Sequence, residues 1–507
     1  MKKTHSFLLF LAILIVSLGV RFYWESQKSA FHVDEVMSFV LCDYGDLGWT
    51  TTFSGEYTGA EAKQAMLFPH PGLDDAIQDI RHNWQDNRDH YHTNFYYTIL
   101  RLWLVGFQSY HIHDIIVHCL WINYIFYVAY FILLYFFLRL FFRERPKILF
   151  LGLLLIGLSA SDIANTIFIR EYMLQELGAL FLAYIVVKSV IEIKKDAYRY
   201  NITNFLITTF AIWAIIFNGY FQFVYVGVLG LYLVWVLCQK KDYYKIIYFA
   251  GTMLAAVALC YVCYQGFFKI LTEDNKVSGG LSARTLRGYF SPFLFYSLFV
   301  MHYTLYIPYL FIIGYVWRKK RMAINQVPWI FIAAVIYSVA AFWTAPMRTN
   351  RYIVSATPLL LLIVPFAISK LQGNQQKIAS GLCILTAVVM MCFKGNIENM
   401  NFDKDEKANL LNNHSEMPTY IVVNKKQPWT QCDIIPYLND HRHYIFVNSV
   451  EEIKCNQPHI VSIDCFRGEY PVEKMKQQWE YKGYGSFYNH YLSLIHISEP
   501  TRHLRIS

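Results

Sequence analysis

An adjacent pair of carboxylates, Asp34-Glu35, follows the first apolar stretch of the chain. A carboxylate at such a position can act as a general base that takes a proton from an acceptor hydroxyl group. The second carboxylate can orient a partner or tune the pKa of the first. Most Asp-Glu pairs are solvated loop acids without a chemical function, and the dipeptide alone favours that interpretation. Its position between apolar residues near a membrane segment makes the catalytic hypothesis stronger.

Two arginine motifs could bind an anion. Arg170 begins an apolar segment, where a charged side chain is costly unless it faces the protein interior or a polar cavity. It is expected to be either a phosphate ligand or a salt-bridge partner of Glu171 or Asp162. Arg348 and Arg351 lie in a short loop before another apolar segment. Guanidinium groups suit phosphate oxygens, and contact with lipid headgroups is the equally weighted alternative.

An aromatic segment, residues 92–103, alternates polar and apolar side chains at helical spacing. This pattern predicts an amphipathic helix at the membrane interface. Anchoring without any chemistry is the simpler interpretation of this segment taken alone.

The composition predicts a membrane protein. Of the 507 residues, 55% are hydrophobic and only 16% are charged, whereas ordinary soluble domains have about 25% charged residues. The formal net charge of +9 could suggest a nucleic-acid partner. The basic residues, however, fall in short clusters between apolar runs, which is the pattern that orients membrane helices. No nucleic-acid partner is therefore expected.

Apolar stretches of roughly 17 to 25 residues can cross a bilayer, and about eleven stretches qualify as candidates. They cover residues 6–24, 115–137, 148–159, 167–187, 202–217, 220–237, 246–266, 293–317, 327–343, 352–368 and 378–393. Lysines and arginines concentrate in alternate loops, which predicts a multi-pass protein of the cell inner (plasma) membrane with a cytoplasmic N-terminus. The outer face would receive the first loop (about 25–110), the loop 267–292 and everything after residue 394.

The polar region 394–491 contains extended apolar runs at 420–423, 444–447 and 459–463. A helix is expected between the first two runs, and this alternation is typical of a small α/β domain. The predicted fold is therefore an all-α polytopic membrane protein, with its membrane domain in residues 1–393 and a small C-terminal extracytoplasmic α/β domain. Leu492 to Arg502 match a translated sequencing adapter, so residues 492–507 are expected to be foreign to the natural chain.

Taken in order, these motifs resemble those of the membrane-embedded C-type glycosyltransferases (GT-C), in the bacterial branch related to protein O-mannosyltransferases and lipid A aminoarabinose transferase. Asp34-Glu35 is similar to the acidic pair after the family's first span. His92-Thr93-Asn94-Phe95-Tyr96-Tyr97 is similar to its His-Pro-Pro-Leu-Tyr-Tyr helix, and Arg170-Glu171-Tyr172-Met173-Leu174 to its Arg-x-Tyr-x-Leu stretch. Asn350-Arg351-Tyr352-Ile353-Val354-Ser355-Ala356-Thr357-Pro358 is similar to Arg-Tyr-x-x-Pro-x-x-Pro, with Ser355 in place of a proline. The resemblance covers residues 1–393.

The resemblance implies an inverting transfer of a sugar from a polyprenyl-phosphate donor to a glycan, lipid or protein acceptor outside the cytoplasm. Asp34 would be the base, and Glu35 its supporting acid. The substrate- and phosphate-binding residues would be Arg170, Arg348, Arg351, Tyr352, His92 and Tyr96. No cofactor is predicted with certainty; His32 and His92 would be the ligands if a divalent metal took part.

A transporter or flippase is the main alternative, because about eleven spans with buried charges would also serve transport. Against it, the unusual charges are expected at the outer edge of the spans, and the sequence shows no half-repeat. A polysaccharide polymerase or ligase would need a large late outer loop, and the loop 267–292 is short.

Overall fold

The computed structural model describes residues 3–88, 93–268, 305–320, 328–344, 353–393, 397, 412, 416–454, 459–464, 480–487 and 490–496. The chain divides into two compact units. One comprises residues 1–25, 84–96 and 120–399, and the other comprises residues 26–83, 97–119 and 400–507.

Helices dominate the described residues. They are α1 (Lys3–Ser26), α2 (Val33–Cys42), α3 (Gly59–Leu67), α4 (Leu73–Gln85), α5 (Asn94–Trp103), α6 (Ile112–Phe142), α7 (Pro146–Gly157), α8 (Ala160–Thr166), α9 (Tyr172–Lys194), α10 (Ile202–Ile216), α11 (Gln222–Gln239), α12 (Tyr243–Cys263), α13 (Ile307–Lys320), α14 (Trp329–Thr344), α15 (Thr357–Leu361), α16 (Ile363–Ile368) and α17 (Gly373–Cys392). The strands are β1 (Gly55–Thr58), β2 (Thr419–Val422), β3 (His443–Val447), β4 (His459–Asp464), β5 (Glu480–Phe487) and β6 (His490–His496).

The polytopic helical fold predicted from the sequence is confirmed. Five helices in the described part of the chain, α1, α6, α11, α12 and α17, are long and apolar enough to cross a membrane. Helices α7 and α8 meet the same criterion only together, with a 55° bend between them, and shorter apolar helices lie at Ile202–Ile216, Trp329–Ala341 and Thr357–Ile368. The predicted number of about eleven spans is not confirmed.

Glycine lets three helices of the first unit approach closely. A Cβ on Gly157, at the end of α7, would lie 2.8 Å from Phe131 of α6 and 3.0 Å from the hydroxyl of Ser17 of α1. Small residues serve this purpose between helices in membranes, because apolar helix surfaces gain nothing there by leaving water.

A six-stranded sheet organises the second unit, in the order β1-β3-β2-β4-β6-β5. Strands β3, β2 and β4 are parallel, and β1 pairs antiparallel with β3, from Gly55 opposite Phe446 to Thr58 opposite His443. Strand β1 comes from the first loop after α1, so this loop and the C-terminal region share one sheet. The three predicted apolar runs are the three parallel strands, as expected for strands buried on both faces.

The helix expected between the first two apolar runs is replaced by two 3₁₀ segments, Pro428–Asp433 and Ile435–Tyr437. Pro436 explains the interruption, because proline has no backbone N–H and breaks a continuing α-helix. Strand β6 includes Leu492 to His496 of the segment expected to be foreign, and it pairs antiparallel with β4. The origin of that segment stays a prediction.

Gly59 provides a test of how the first loop packs on the C-terminal region. A Cβ at this position would lie 2.1 Å from the backbone oxygen of Asn439, so Gly59→Ala must displace backbone. We expect a loss of roughly 1–3 kcal/mol, as is typical of overpacking, visible as a lower thermal midpoint of the detergent-solubilised protein. Gly45→Ala is the control, because its Cβ would meet Val40 at an ordinary 3.7 Å. Equal midpoints for the two variants would contradict the packing.

Candidate functional site

Helix α2 positions the acidic pair through a capping box. His32, the N-cap residue, is extended (φ −80°, ψ 150°), and its Nδ1 accepts the backbone N–H of Asp34 at 3.2 Å. In return, the Glu35 carboxylate accepts the backbone N–H of His32 at 2.8 Å. This reciprocal arrangement satisfies two backbone donors that a helix start leaves without partners. The motif His-x-x-Glu therefore fixes where α2 begins.

Glu35 is the buried member of the pair. Its side chain is fully enclosed, and its other carboxylate oxygen lies 2.6 Å from the Nζ of Lys28, which is also buried. Both oxygens of Glu35 thus hold structural partners. Removing one member of a buried ion pair leaves an uncompensated charge, so Glu35 and Lys28 tie the segment before α2 to the helix.

Asp34 differs from its neighbour in exposure. Its side chain is 17% exposed, and its carboxylate oxygen lies 3.5 Å from Nδ1 of His32. Since that nitrogen accepts the Asp34 N–H, it does not also donate a hydrogen bond to the carboxylate. The first turn of a helix stabilises a negative charge, which suits a carboxylate that must be ionised to act as a base.

The other end of α2 carries a buried charge cluster that the sequence interpretation missed. Arg101 of α5 lies 3.0 Å from Asp43, the C-cap residue of α2, and 2.8 Å from Asp79 of α4. One guanidinium is therefore shared by two carboxylates. Burial raises the pKa of Asp43 to about 8, opposed by Arg101 and reinforced by Asp79. Asp43 is the more enclosed of the two acids, with its side chain 2% exposed against 11% for Asp79.

Arg170 lies in the first unit, in the segment between α8 and α9. It is buried, and its Nε lies 3.7 Å from Glu171. Of the expected salt-bridge partners, Glu171 is thus close, whereas Asp162 pairs with a different arginine, Arg21.

Arg21 lies inside the first apolar span and is fully buried. Its guanidinium donates to Asp162, to Thr166 Oγ1 at 3.0 Å, to the Gly157 oxygen at 2.9 Å and to Ser17. An arginine within an apolar span is itself a signal of a buried partner, although nothing in the local sequence identifies that partner.

A second carboxyl group joins this cluster. Glu176 of α9 is fully buried and accepts a hydrogen bond from Asn165 at 2.8 Å. Arg21 and two carboxyl groups, those of Asp162 and Glu176, are thus all buried among the helices of the first unit.

Several predicted site residues lie outside the described residues: His92, Arg348, Arg351 and Tyr352. Tyr96 is buried in α5. Ser355, which stands where the resemblance predicts a proline, is buried and accepts a hydrogen bond from Gln222 at 2.7 Å. Within the described ranges, no group of three or more His, Cys, Asp or Glu side chains could hold a metal ion.

This helical membrane architecture with a sheet-containing second unit is the fold of the C-type glycosyltransferases. The chain is similar to ArnT from Cupriavidus metallidurans bound to undecaprenyl phosphate, with a TM-score of 0.53 and 12% identity over 97% of this chain and 98% of that chain. The apo form of the same protein gives a TM-score of 0.51. The Archaeoglobus fulgidus oligosaccharyltransferase in its apo form gives 0.47, with 11% identity over 86% of this chain and 64% of that chain.

No protein-family profile and no curated protein matches the sequence. The fold implied by the motif resemblance is confirmed by the structural similarity alone.

The Asp43 cluster predicts a pH dependence of stability. A carboxyl group whose pKa is raised in the folded state stabilises the protein at low pH and loses that contribution as the pH rises through the folded value, here about 8. We expect the free energy of unfolding to fall by up to about 1.4 kcal/mol per pH unit between pH 5 and pH 8. The thermal midpoint should fall over the same range. Asp43→Asn should flatten this slope, whereas Asp46→Asn at an exposed position should not. An unchanged slope in Asp43→Asn would show that Asp43 is ionised.

The Arg21 cluster predicts a large loss of stability for one charge-removing substitution and a small change for another. Arg21→Gln leaves the buried Asp162 carboxylate without its cation and should cost roughly 3–5 kcal/mol. Glu176→Gln keeps an acceptor for Asn165 and removes no partner of Arg21, so it should change stability by less than about 1.5 kcal/mol. Thermal unfolding in detergent measures both, and equal losses would contradict the pairing of Arg21 with Asp162 as the main stabilising contact of the cluster.

Proposed function

We propose that the chain is an integral membrane glycosyltransferase that moves a sugar from a polyprenyl-phosphate donor to an acceptor outside the cytoplasm. The observation that carries this proposal is its fold similarity, over nearly the full length of both chains, to a structure that binds undecaprenyl phosphate. The four motifs of the resemblance occur in the same order along the sequence, which supports the same conclusion.

Asp34 is the general base in this proposal. Its carboxylate takes the proton of the acceptor hydroxyl while the hydroxyl oxygen attacks the anomeric carbon. The bond from that carbon to the phosphate oxygen breaks, and polyprenyl phosphate leaves with the negative charge. A single displacement of this kind inverts the anomeric configuration.

The partial exposure of Asp34 at the start of α2 supports its role as the base, because a base must reach its substrate.

Glu35 acts through Asp34 rather than on the substrate. Its contacts with Lys28 and the His32 backbone hold the first turn of α2 in place, which makes it a positioning residue. Fixing the base within a few tenths of an ångström of its reactive position is the kind of support that functional groups need.

The leaving phosphate requires cations that are already in place when its charge develops. We assign this role to Arg170, Arg348 and Arg351, with Tyr352, His92 and Tyr96 as further substrate contacts. The assignment follows the motif resemblance, and the burial of Arg170 beside Glu171 supports it, because a guanidinium enclosed by protein binds an anion more strongly than one in water.

The test is transfer of labelled sugar in membranes that contain the full chain, supplied with a panel of polyprenyl-phosphate hexoses and pentoses. We expect Asp34→Asn to lower the transfer rate roughly 10²- to 10⁴-fold, the usual contribution of a general base, with its thermal midpoint preserved. Asp46→Asn, an exposed acid of the same loop, should transfer at the wild-type rate. Full activity in Asp34→Asn would show that the base is assigned wrongly.

Glu35→Gln separates positioning from chemistry. It leaves Lys28 buried without a carboxylate partner, so we expect a loss of roughly 3–5 kcal/mol in stability. The transfer rate per folded molecule should also fall, but by less than in Asp34→Asn. If the wild type consumes no lipid-linked sugar but moves it across the bilayer, the flippase alternative is correct.

A further inference from the structure

A groove of about 760 Å³ lies on the first unit, between the start of α1, the end of α6 and the start of α7. Its wall is apolar, formed mainly by Phe7, Phe10, Ile132 and Phe136. Phe7, Ile132 and Phe136 are 63%, 43% and 45% exposed, although α1 and α6 both qualify as membrane spans. Exposed apolar side chains on such helices face the acyl chains of lipids, so an aliphatic occupant suits this wall.

Two arginines line the groove beside its apolar wall. Arg139 and Arg143 line it, and Glu144 is the acidic residue among its lining side chains. Arg143 and Glu144 are 4.0 Å apart with side chains 77% and 92% exposed, and such solvated pairs are worth little. The Arg139 guanidinium lies over the ring of Tyr135, 5.6 Å from its centroid, which holds it against the wall of the groove. Two like charges one helical turn apart repel each other, and an anion between them removes that repulsion.

The turn after α6 increases the positive charge of this corner. Arg145 and Lys147 line a neighbouring cavity of about 440 Å³, which shares Pro146 with the groove. Helix α7 begins at Pro146 without a side-chain cap, so its N-terminal dipole also favours an anion here. The segment 139–147 therefore combines four cations with one acid.

We propose that this groove binds one anionic glycerophospholipid, with an acyl chain along the aromatic wall and the phosphate between Arg139 and Arg143. Basic pockets between membrane helices bind the headgroups of anionic lipids, and guanidinium groups bind phosphate oxygens in bidentate fashion. A zwitterionic headgroup would bring a cation to a corner that already has four. The site does not depend on the proposed reaction, since it uses none of the residues assigned to it.

The test is native mass spectrometry of the delipidated full chain, titrated in detergent with phosphatidylglycerol, phosphatidylcholine or glycerol phosphate. We expect phosphatidylglycerol to bind at least about tenfold more tightly than phosphatidylcholine, since two arginines each contribute near an anionic headgroup. Arg139→Gln with Arg143→Gln should abolish that preference. Lys194→Gln with Lys195→Gln, which removes two charges elsewhere, should keep it.

A second variant separates the groove from the charges. Ile132→Trp should fill part of the groove and weaken phosphatidylglycerol binding. Glycerol phosphate, which has no acyl chain, should bind to this variant and to the wild type equally. The proposal is overturned if the double arginine variant keeps the lipid preference, or if the double lysine variant loses it equally. Tighter binding of a polyprenyl phosphate than of phosphatidylglycerol, lost in the same arginine variant, would also overturn it and assign the groove to the carrier lipid.

Discussion

The buried pair of Arg21 and Asp162 is the constraint on which the membrane unit depends. A guanidinium that lies within an apolar span must find acceptors for its N–H groups inside the protein. The acceptors come from α1 itself, from the last residue of α7 and from α8. The 55° bend between α7 and α8 brings Asp162 and the Gly157 carbonyl to the same cation. The pair thus fixes both the depth of α1 and the direction in which the chain continues towards Arg170.

The second unit uses the same device around α2. Its C-terminal end is held by Arg101 through Asp43, and its N-terminal end by Lys28 through Glu35. Both pairs are buried, and buried pairs of this kind contribute more to a unique arrangement than to net stability. A ten-residue helix is too short to persist alone in water. The two ion pairs, with its packing, therefore determine where the Asp34 carboxylate lies.

Local sequence patterns predicted most helices and strands of this fold, but they did not identify strand pairs or ion pairs between distant residues. The apolar runs along the chain gave the positions of most helices and of β2, β3 and β4. Strand β1 was missed because its partner β3 lies several hundred residues later in the sequence, and no local periodicity reports such a pairing. Arg21 was missed for the same reason: its partner Asp162 is 141 residues away. The helix predicted after β2 was wrong because Pro436 interrupts the segment, a local signal that outweighs the βαβ pattern.

The structure gives a physical difference between Asp34 and Glu35. Successive residues of an α-helix point in directions about 100° apart, so one neighbour can face the interior while the other faces outwards. Residue type and spacing identify the pair without saying which member is which, and the family resemblance alone implied that Asp34 is the base. The capping box answers this, because the third residue after an N-cap is the one that reaches back to the cap backbone. Glu35 occupies that position, and its carboxylate is used by the His32 backbone and by Lys28. Asp34 lies next to His32 with its side chain 17% exposed, the accessibility that its proposed role in proton transfer requires.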